Sequence, residues 1–271
     1  MGAGTVIWYR FIFAAVLLGV ILLLRGSLPA PLPKAKSIWG LFALAITCFA
    51  ANNLVFLSSL GYITPTAAQL LNQFAPLLLL AGAVVVFKER FQRTQLIGVA
   101  VLMFGMGLFF RDRVGELFSG LGDYSVGVVL VLGSTVLWAV YALAQKQLLA
   151  SYPSQVLMWS IYASGAVLLF AIAEPAQITT LSGGQVMVLV YCAMLTILGY
   201  GAFAEALAHW EASRVSAVIA TTPLMTWGFN MIAAKFAPSY AQAEGLSFVS
   251  LIGAGLVTLG SALIALARRS E

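Results

Sequence analysis

Nine apolar stretches, each about as long as a membrane-crossing helix, follow one another along this chain. They run 5–24, 37–60, 67–87, 94–110, 126–148, 154–173, 184–208, 215–234 and 247–267. A spanning helix takes about 20 mainly apolar residues, because in hydrocarbon the backbone donors and acceptors must be satisfied within the segment. Clusters of glycine, proline and charge separate the stretches, as in Arg25-Gly-Ser-Leu-Pro-Ala-Pro-Leu-Pro-Lys34 and Lys88-Glu-Arg-Phe-Gln-Arg93. None shows the strict alternation of a barrel strand. The pattern predicts an all-α, polytopic transmembrane helical bundle. Composition excludes the other classes: 62% of the 271 residues are hydrophobic and 8% charged, against roughly 25% charged in a soluble domain. One His and two Cys make neither a zinc framework nor a disulfide scaffold, so no metal and no cofactor is expected.

The first stretch has no basic residues before it, holds Arg10 inside it, and lacks a small-residue cleavage site; it is read as a span rather than a secretory signal. Orientation follows the loop cations. Numbering the connections alternately puts Arg25, Lys34, Lys36, Lys88, Arg90, Arg93, Lys146, Arg214, Arg268 and Arg269 on one side, and Arg111, Arg113 and Lys235 on the other. The richer side is taken as cytoplasmic, with the N-terminus of the chain outside and the C-terminus inside. The net charge of +5 is thus a loop asymmetry, not a nucleic-acid-binding patch.

The chain also contains itself twice. Thr66, Pro76, Leu77 and Lys88 recur as Ser213, Pro223, Leu224 and Lys235 at an offset of 147, while Gly98 and Gly105 recur as Gly253 and Gly260 at 155. Ile12, Phe13 and Ala14 match Ile161, Tyr162 and Ala163 at 149. The repeats are placed at 1–111 and 126–271, joined by an extracytoplasmic loop at 112–125. The second copy has five spans and the first shows four. Five is odd, so two full copies would cross the bilayer in opposite senses, and the loop charges agree: Lys88, Arg90 and Arg93 follow the third span, but Lys235 stands alone in the counterpart. Inverted repeats are a habit of secondary transporters, which bind near the midplane.

These features resemble the EamA-type family of the drug/metabolite transporter superfamily. The residues that carry the resemblance are Arg10-Phe11 within Trp-Tyr-Arg-Phe-Ile-Phe-Ala-Ala, Pro76 ahead of Phe87-Lys88-Glu89-Arg90, the Gly98/Gly105 span, and Trp138-Ala-Val-Tyr141-Ala. The resemblance implies ten helices in two five-helix inverted repeats, export or exchange of small solutes, a cavity between the repeats, and residence in a bacterial inner membrane. On that pattern nine of ten spans are present, and the first either lies upstream of Met1 or is missing from a nine-helix variant. The second copy departs from the pattern by reading Lys235-Phe-Ala-Pro where the first has Lys-Glu-Arg.

Polar groups in hydrocarbon face the bundle interior or a cavity, so their spacing marks a face. Gln69, Asn72, Gln73 and Pro76 make one stripe; Ser134, Trp138, Tyr141 and Gln145 make another. Thr222, Thr226 and Asn230 are four apart with Trp227 beside them, Cys48 shares a face with Asn52, and Cys192, Thr196 and Tyr200 share one. The candidate substrate-binding residues are therefore Asn52, Gln69, Asn72, Gln73, Trp138, Tyr141, Gln145, Tyr200, Thr222, Thr226, Trp227 and Asn230. Amides, hydroxyls and aromatic rings with few charges suit a small amphipathic solute such as an amino acid; interhelical hydrogen bonding is the competing reading for each residue. Pro76 and Pro223 are candidate hinges within their helices. Arg10 is either a carboxylate attractor or a structural residue, and the structural role is favoured. Glu205 and His209, four apart, are candidates for proton coupling, against an ion pair with Lys146 or Arg214.

The expected function is a secondary transporter, with the bilayer, a small-molecule substrate and a coupling proton or counter-solute as partners. The glycine-faced spans suit packing or interface helices, which admits an oligomer. A nucleotide-sugar or phosphorylated-metabolite carrier is disfavoured by the shortage of intramembrane cations. An intramembrane lipid-modifying enzyme would need converging His, Asp or Cys groups, and a channel a charged or carbonyl-lined filter. With no P-loop string, no catalytic residue is expected and the chain is read as no enzyme.

Overall fold

The computed structural model describes residues 1–26, 36–75, 77–79, 81–82, 92–111, 122–209, 215, 218–236 and 246–266. Every regular element among them is helical. In chain order these are α1 (Ala3–Leu24), α2 (Lys36–Ser59), α3 (Pro65–Leu71) running into a 3-10 turn at Asn72–Phe74, α4 (Arg93–Phe110), α5 (Asp123–Leu149), α6 (Ser154–Leu169), α7 (Gly183–His209), α8 (Thr222–Phe236) and α9 (Phe248–Leu266). Two further 3-10 turns, Phe170–Ile172 and Pro175–Thr180, join α6 to α7. Pro76, the Lys88–Arg90 string, Arg214, the Arg268–Arg269 tail and residues 112–121 of the connecting loop lie outside the described residues.

Local chemistry sets the helix ends. Beyond α1, Gly26 turns left-handed (φ 65) and donates to the Leu23 carbonyl, closing the helix with a conformation that costs glycine little. Thr64 caps α3 by accepting from the Ala67 amide at 3.3 Å, with Pro65 in the first turn. A reciprocal capping box of Gln92 and Gln95 opens α4.

Seven helices among the described residues, α1, α2, α4 to α7 and α9, are long and apolar enough to cross a bilayer. The expected spans 67–87 and 215–234 differ from the reading of unbroken helices. The first passes into the 3-10 turn at Asn72–Phe74. The second is interrupted by a turn at Ala220–Thr221 before α8 begins. Apolar content alone does not register a break in the backbone ladder.

The chain forms two compact units, each drawing on both ends of the sequence. One comprises 1–57 and 137–210. Its core is aromatic: Phe11 stacks on Phe49 at 5.2 Å, and Tyr141, Tyr162 and Tyr200 surround Phe49 at 4.7, 6.0 and 4.8 Å. Within it α1 packs against α6 and α7. A Cβ on Gly165 would lie 2.8 Å from the Phe11 ring, and one on Gly19 would lie 2.8 Å from Trp159, so α1 and α6 run antiparallel and closely. Met187, Tyr191 and Leu198 of α7 are exposed, as suits a lipid-facing side.

The other unit comprises 58–136 and 211–271. Here α4 and α9 touch backbone to backbone. A Cβ on Gly98 would sit 2.9 Å from the Gly260 carbonyl oxygen, and one on Gly105 would sit 2.8 Å from that of Gly253. The contacts are antiparallel, and each glycine meets the counterpart of the other rather than its own. Small residues permit this approach, and α3 packs against α8 in the same unit.

Candidate substrate-binding residues

The expected binding residues fall into two groups, one in each compact unit. In the unit of residues 1–57 and 137–210, Tyr141 and Gln145 are fully buried one turn apart on α5. Both donate to the thioether of Met158, Gln145 from Nε2 at 3.2 Å and Tyr141 from its hydroxyl at 3.6 Å. The carbonyl oxygen of Gln145 has no hydrogen-bond partner, a state rare among buried polar atoms. Trp138 lies 5.7 Å from Phe203 of α7. Asn52 and Asn53 are buried on α2, and Tyr200 donates to Asn53 at 3.4 Å. Asn53, next to the candidate Asn52, thus makes a contact between α2 and α7.

Arg10 is half-buried on α1, and its Nε donates to the hydroxyl of Thr196 at 2.8 Å. The Thr196 carbonyl accepts from Tyr162 at 3.0 Å. Of the two cysteines, Cys48 is buried and Cys192 half-buried. Glu205 and His209 are both exposed at the end of α7. His209 Nδ1 lies 3.4 Å from the Glu205 carboxylate, which also accepts from the hydroxyl of Ser154 at the start of α6. Among the described residues Glu205 meets Ser154 and His209; the serine signal was its position just after Pro153, and Arg214 lies outside the described residues.

In the other unit the stripe on α3 divides. Asn72 accepts at 3.0 Å from Thr135 of α5, while Gln73, buried, accepts at 2.8 Å from Ser261 of α9. Successive helical residues point about 100° apart, so these two amides serve different neighbours. Gln69 is half-buried, and the Thr66 hydroxyl is buried without a hydrogen-bond partner. Thr135 and Ser261 carry no sign in the sequence beyond being polar groups in spans.

Pro223 corrects the expectation of a hinge inside a helix. It is the second residue of α8, in the first turn, where a missing amide leaves nothing unpaired within the helix. Its ring nitrogen cannot donate to the carbonyl four residues back, that of Ile219. The hydroxyl of Thr222 does so instead, at 2.5 Å. Thr221 likewise donates to Val218 at 2.7 Å. Thr226, Trp227 and Asn230 follow on α8, half-buried, and the Trp227 ring N–H has no partner. In the first copy the counterpart of Ile219 is Asn72, which opens the 3-10 turn.

The profile of the EamA-like transporter family matches residues 1–111 and 125–266. The chain belongs to the EamA-like transporter family. An uncharacterized transporter of Haemophilus influenzae is 37% identical over 269 residues, covering 99% of this chain and 87% of the relative. The uncharacterized inner membrane transporter YhbE of Escherichia coli is 35% identical over 270 residues, covering 99% and 84%. An uncharacterized transporter of Archaeoglobus fulgidus is 27% identical over 256 residues, covering 93% and 84%. A solved crystal structure 14% identical to the chain superposes with a TM-score of 0.67, covering 99% of this chain and 90% of that one, which extends the likeness to the fold. This EamA-like chain is an integral membrane protein of transporter type, and the names of its relatives point away from an enzyme.

Proposed function

We propose that the chain is a secondary transporter that exports or exchanges a small amphipathic solute such as an amino acid. It works by alternating access between two inverted repeats, 1–111 and 126–271, joined by an extracytoplasmic loop at 112–125. The observation that carries the reading is a departure from α-helical geometry at the same place in both copies. The 3-10 turn at Asn72–Phe74 and the turn at Ala220–Thr221 each stand just before the proline of their copy. Transporters gather their sites at such discontinuous helices, where freed backbone groups and polar side chains face a cavity. The crosswise antiparallel glycine contacts of α4 and α9 support an opposite sense for the two copies, since reciprocal pairing is what a two-fold relation produces.

Available groups are, within the unit of 1–57 and 137–210, the orphaned Gln145 carbonyl and, within the other unit taken by itself, the Trp227 ring N–H. Both groups are neutral, which suits a solute of low net charge. Solute binding shifts the balance of outward- and inward-open states in proportion to its difference in affinity. Pro76 is the hinge on this reading, and Glu205 with His209 is the proton-coupling pair. The N-terminus of the chain faces outward and its C-terminus the cytoplasm.

Purified protein in proteoliposomes, challenged with a panel of amino acids, sugars and phosphorylated metabolites, tests the reading. Counterflow of amino acids is expected. Movement of phosphorylated compounds alone would make it a different carrier, and hydrolysis or transfer of a lipid without counterflow would remove the transporter altogether.

A further inference from the structure

We infer that the terminal nitrogens of Arg10 receive the carboxylate of the transported solute. The inference rests on the transport reading above and narrows it to compounds that carry a carboxylate. Arg10 is the eighth residue of α1, about 10 Å along the helix axis from its start. A cation within a span is costly, and such residues pair or mark a substrate path. Snorkelling does not account for this one. A snorkelling side chain carries its head out to the interface, whereas the Arg10 head is tied through Nε to Thr196, at the midpoint of the 27-residue α7.

The surroundings hold polarity without opposite charge. Thr196 is almost wholly buried and donates onward to the Cys192 carbonyl at 2.8 Å. Tyr162 and Tyr200 lie within electrostatic reach of the guanidinium, with their hydroxyls committed to the Thr196 carbonyl and to Asn53. Glu174, the carboxylate bordering the start of α1, accepts from Gln177 at 2.6 Å. Among the described residues Arg10 makes the Nε bond and has no carboxylate partner. The Nε tie fixes the guanidinium plane and leaves the edge formed by the two terminal nitrogens, the geometry that meets a carboxylate with two parallel bonds. Transport sites are expected at this depth.

The test uses the full chain in proteoliposomes and a panel of free L-amino acids, each paired with its amide and with the amine left on decarboxylation. Wild type is expected to move the acids at least tenfold faster than their amides. Arg10→Gln is expected to bring that ratio close to one. Arg10→Lys keeps the charge without the fork, and a ratio at least threefold below wild type is expected. Because the readout is a ratio within one preparation, partial misfolding scales both members, and Arg10→Lys carries the test if Arg10→Gln does not purify. A wild-type ratio near one, or a loss in Arg10→Gln that is equal for acids and amides, would make Arg10 a tie between α1 and α7 or a headgroup anchor; transport would stand and the carboxylate contact would fall. If no acid, amide or amine moves in wild type, the amino-acid transport reading fails first and takes this inference with it.

Discussion

The α4–α9 seam gives a prediction whose size follows from the coordinates. Replacing Gly105 with Ala puts a methyl group 2.8 Å from the Gly253 carbonyl oxygen and 2.7 Å from the Val257 amide nitrogen. Both are backbone atoms, so the helices themselves must part. Overpacking of this kind costs about 1–3 kcal/mol, offset by as much as about 1 kcal/mol of helix propensity gained over glycine. Gly107, one half-turn further on the same helix, has nothing within 4 Å of its own Cβ. There the propensity gain acts alone. The difference between Gly105→Ala and Gly107→Ala cancels propensity and isolates the seam, and is expected to be about 1–3 kcal/mol. Reversible unfolding of the purified protein in mixed detergent micelles, followed by far-UV circular dichroism, measures it. A difference under about 0.5 kcal/mol, the scatter of neutral surface changes, would refute direct backbone contact between α4 and α9.

Three more outcomes are expected. Ser261→Ala leaves the buried Gln73 carbonyl without its donor, a loss of about 1–3 kcal/mol; pairing it with Gln73→Leu should recover most of this, and an additive double mutant would show the bond to be idle. Thr222→Val strips the Ile219 carbonyl of its hydroxyl donor and should cost about 1 kcal/mol; in a Pro223→Ala background, where an amide can take over, the cost should shrink, and an unchanged cost would exclude the substitution of hydroxyl for amide. Glu205→Gln keeps an oxygen for Ser154 to bond, so stability should stay within about 0.5 kcal/mol. Transport by that variant should lose its response to a proton gradient, and a retained response would remove Glu205 from coupling.

Span positions were legible because they follow from the thickness of hydrocarbon. The stretches 5–24 and 94–110 differ by a residue or two from Ala3–Leu24 and Arg93–Phe110. The breaks at Asn72–Phe74 and Ala220–Thr221 were not, since a window of apolar residues looks the same whether its ladder is continuous or not. The local sign of the second was nonetheless present in the Thr221-Thr222-Pro223 string. Partner choice was out of reach for a different reason: Asn72 and Thr135 are 63 residues apart, and Gln73 and Ser261 are 188 apart. Spacing placed Asn72 and Gln73 on one broad face but did not say that they would reach for α5 and α9 respectively. The glycines of α4 and α9 announced a close-packed face, while the crosswise matching of Gly98 with Gly260 became visible only in three dimensions.

The hydroxyl of Thr222 stands in for an amide that proline cannot offer. An amide is part of the main chain and leaves its acceptor only when the helix unwinds; a hydroxyl leaves by turning about one side-chain bond. The Ile219 oxygen is therefore on loan. It can lose and regain its donor while α8 keeps its shape, so this stretch of membrane can loosen at one point without first coming apart.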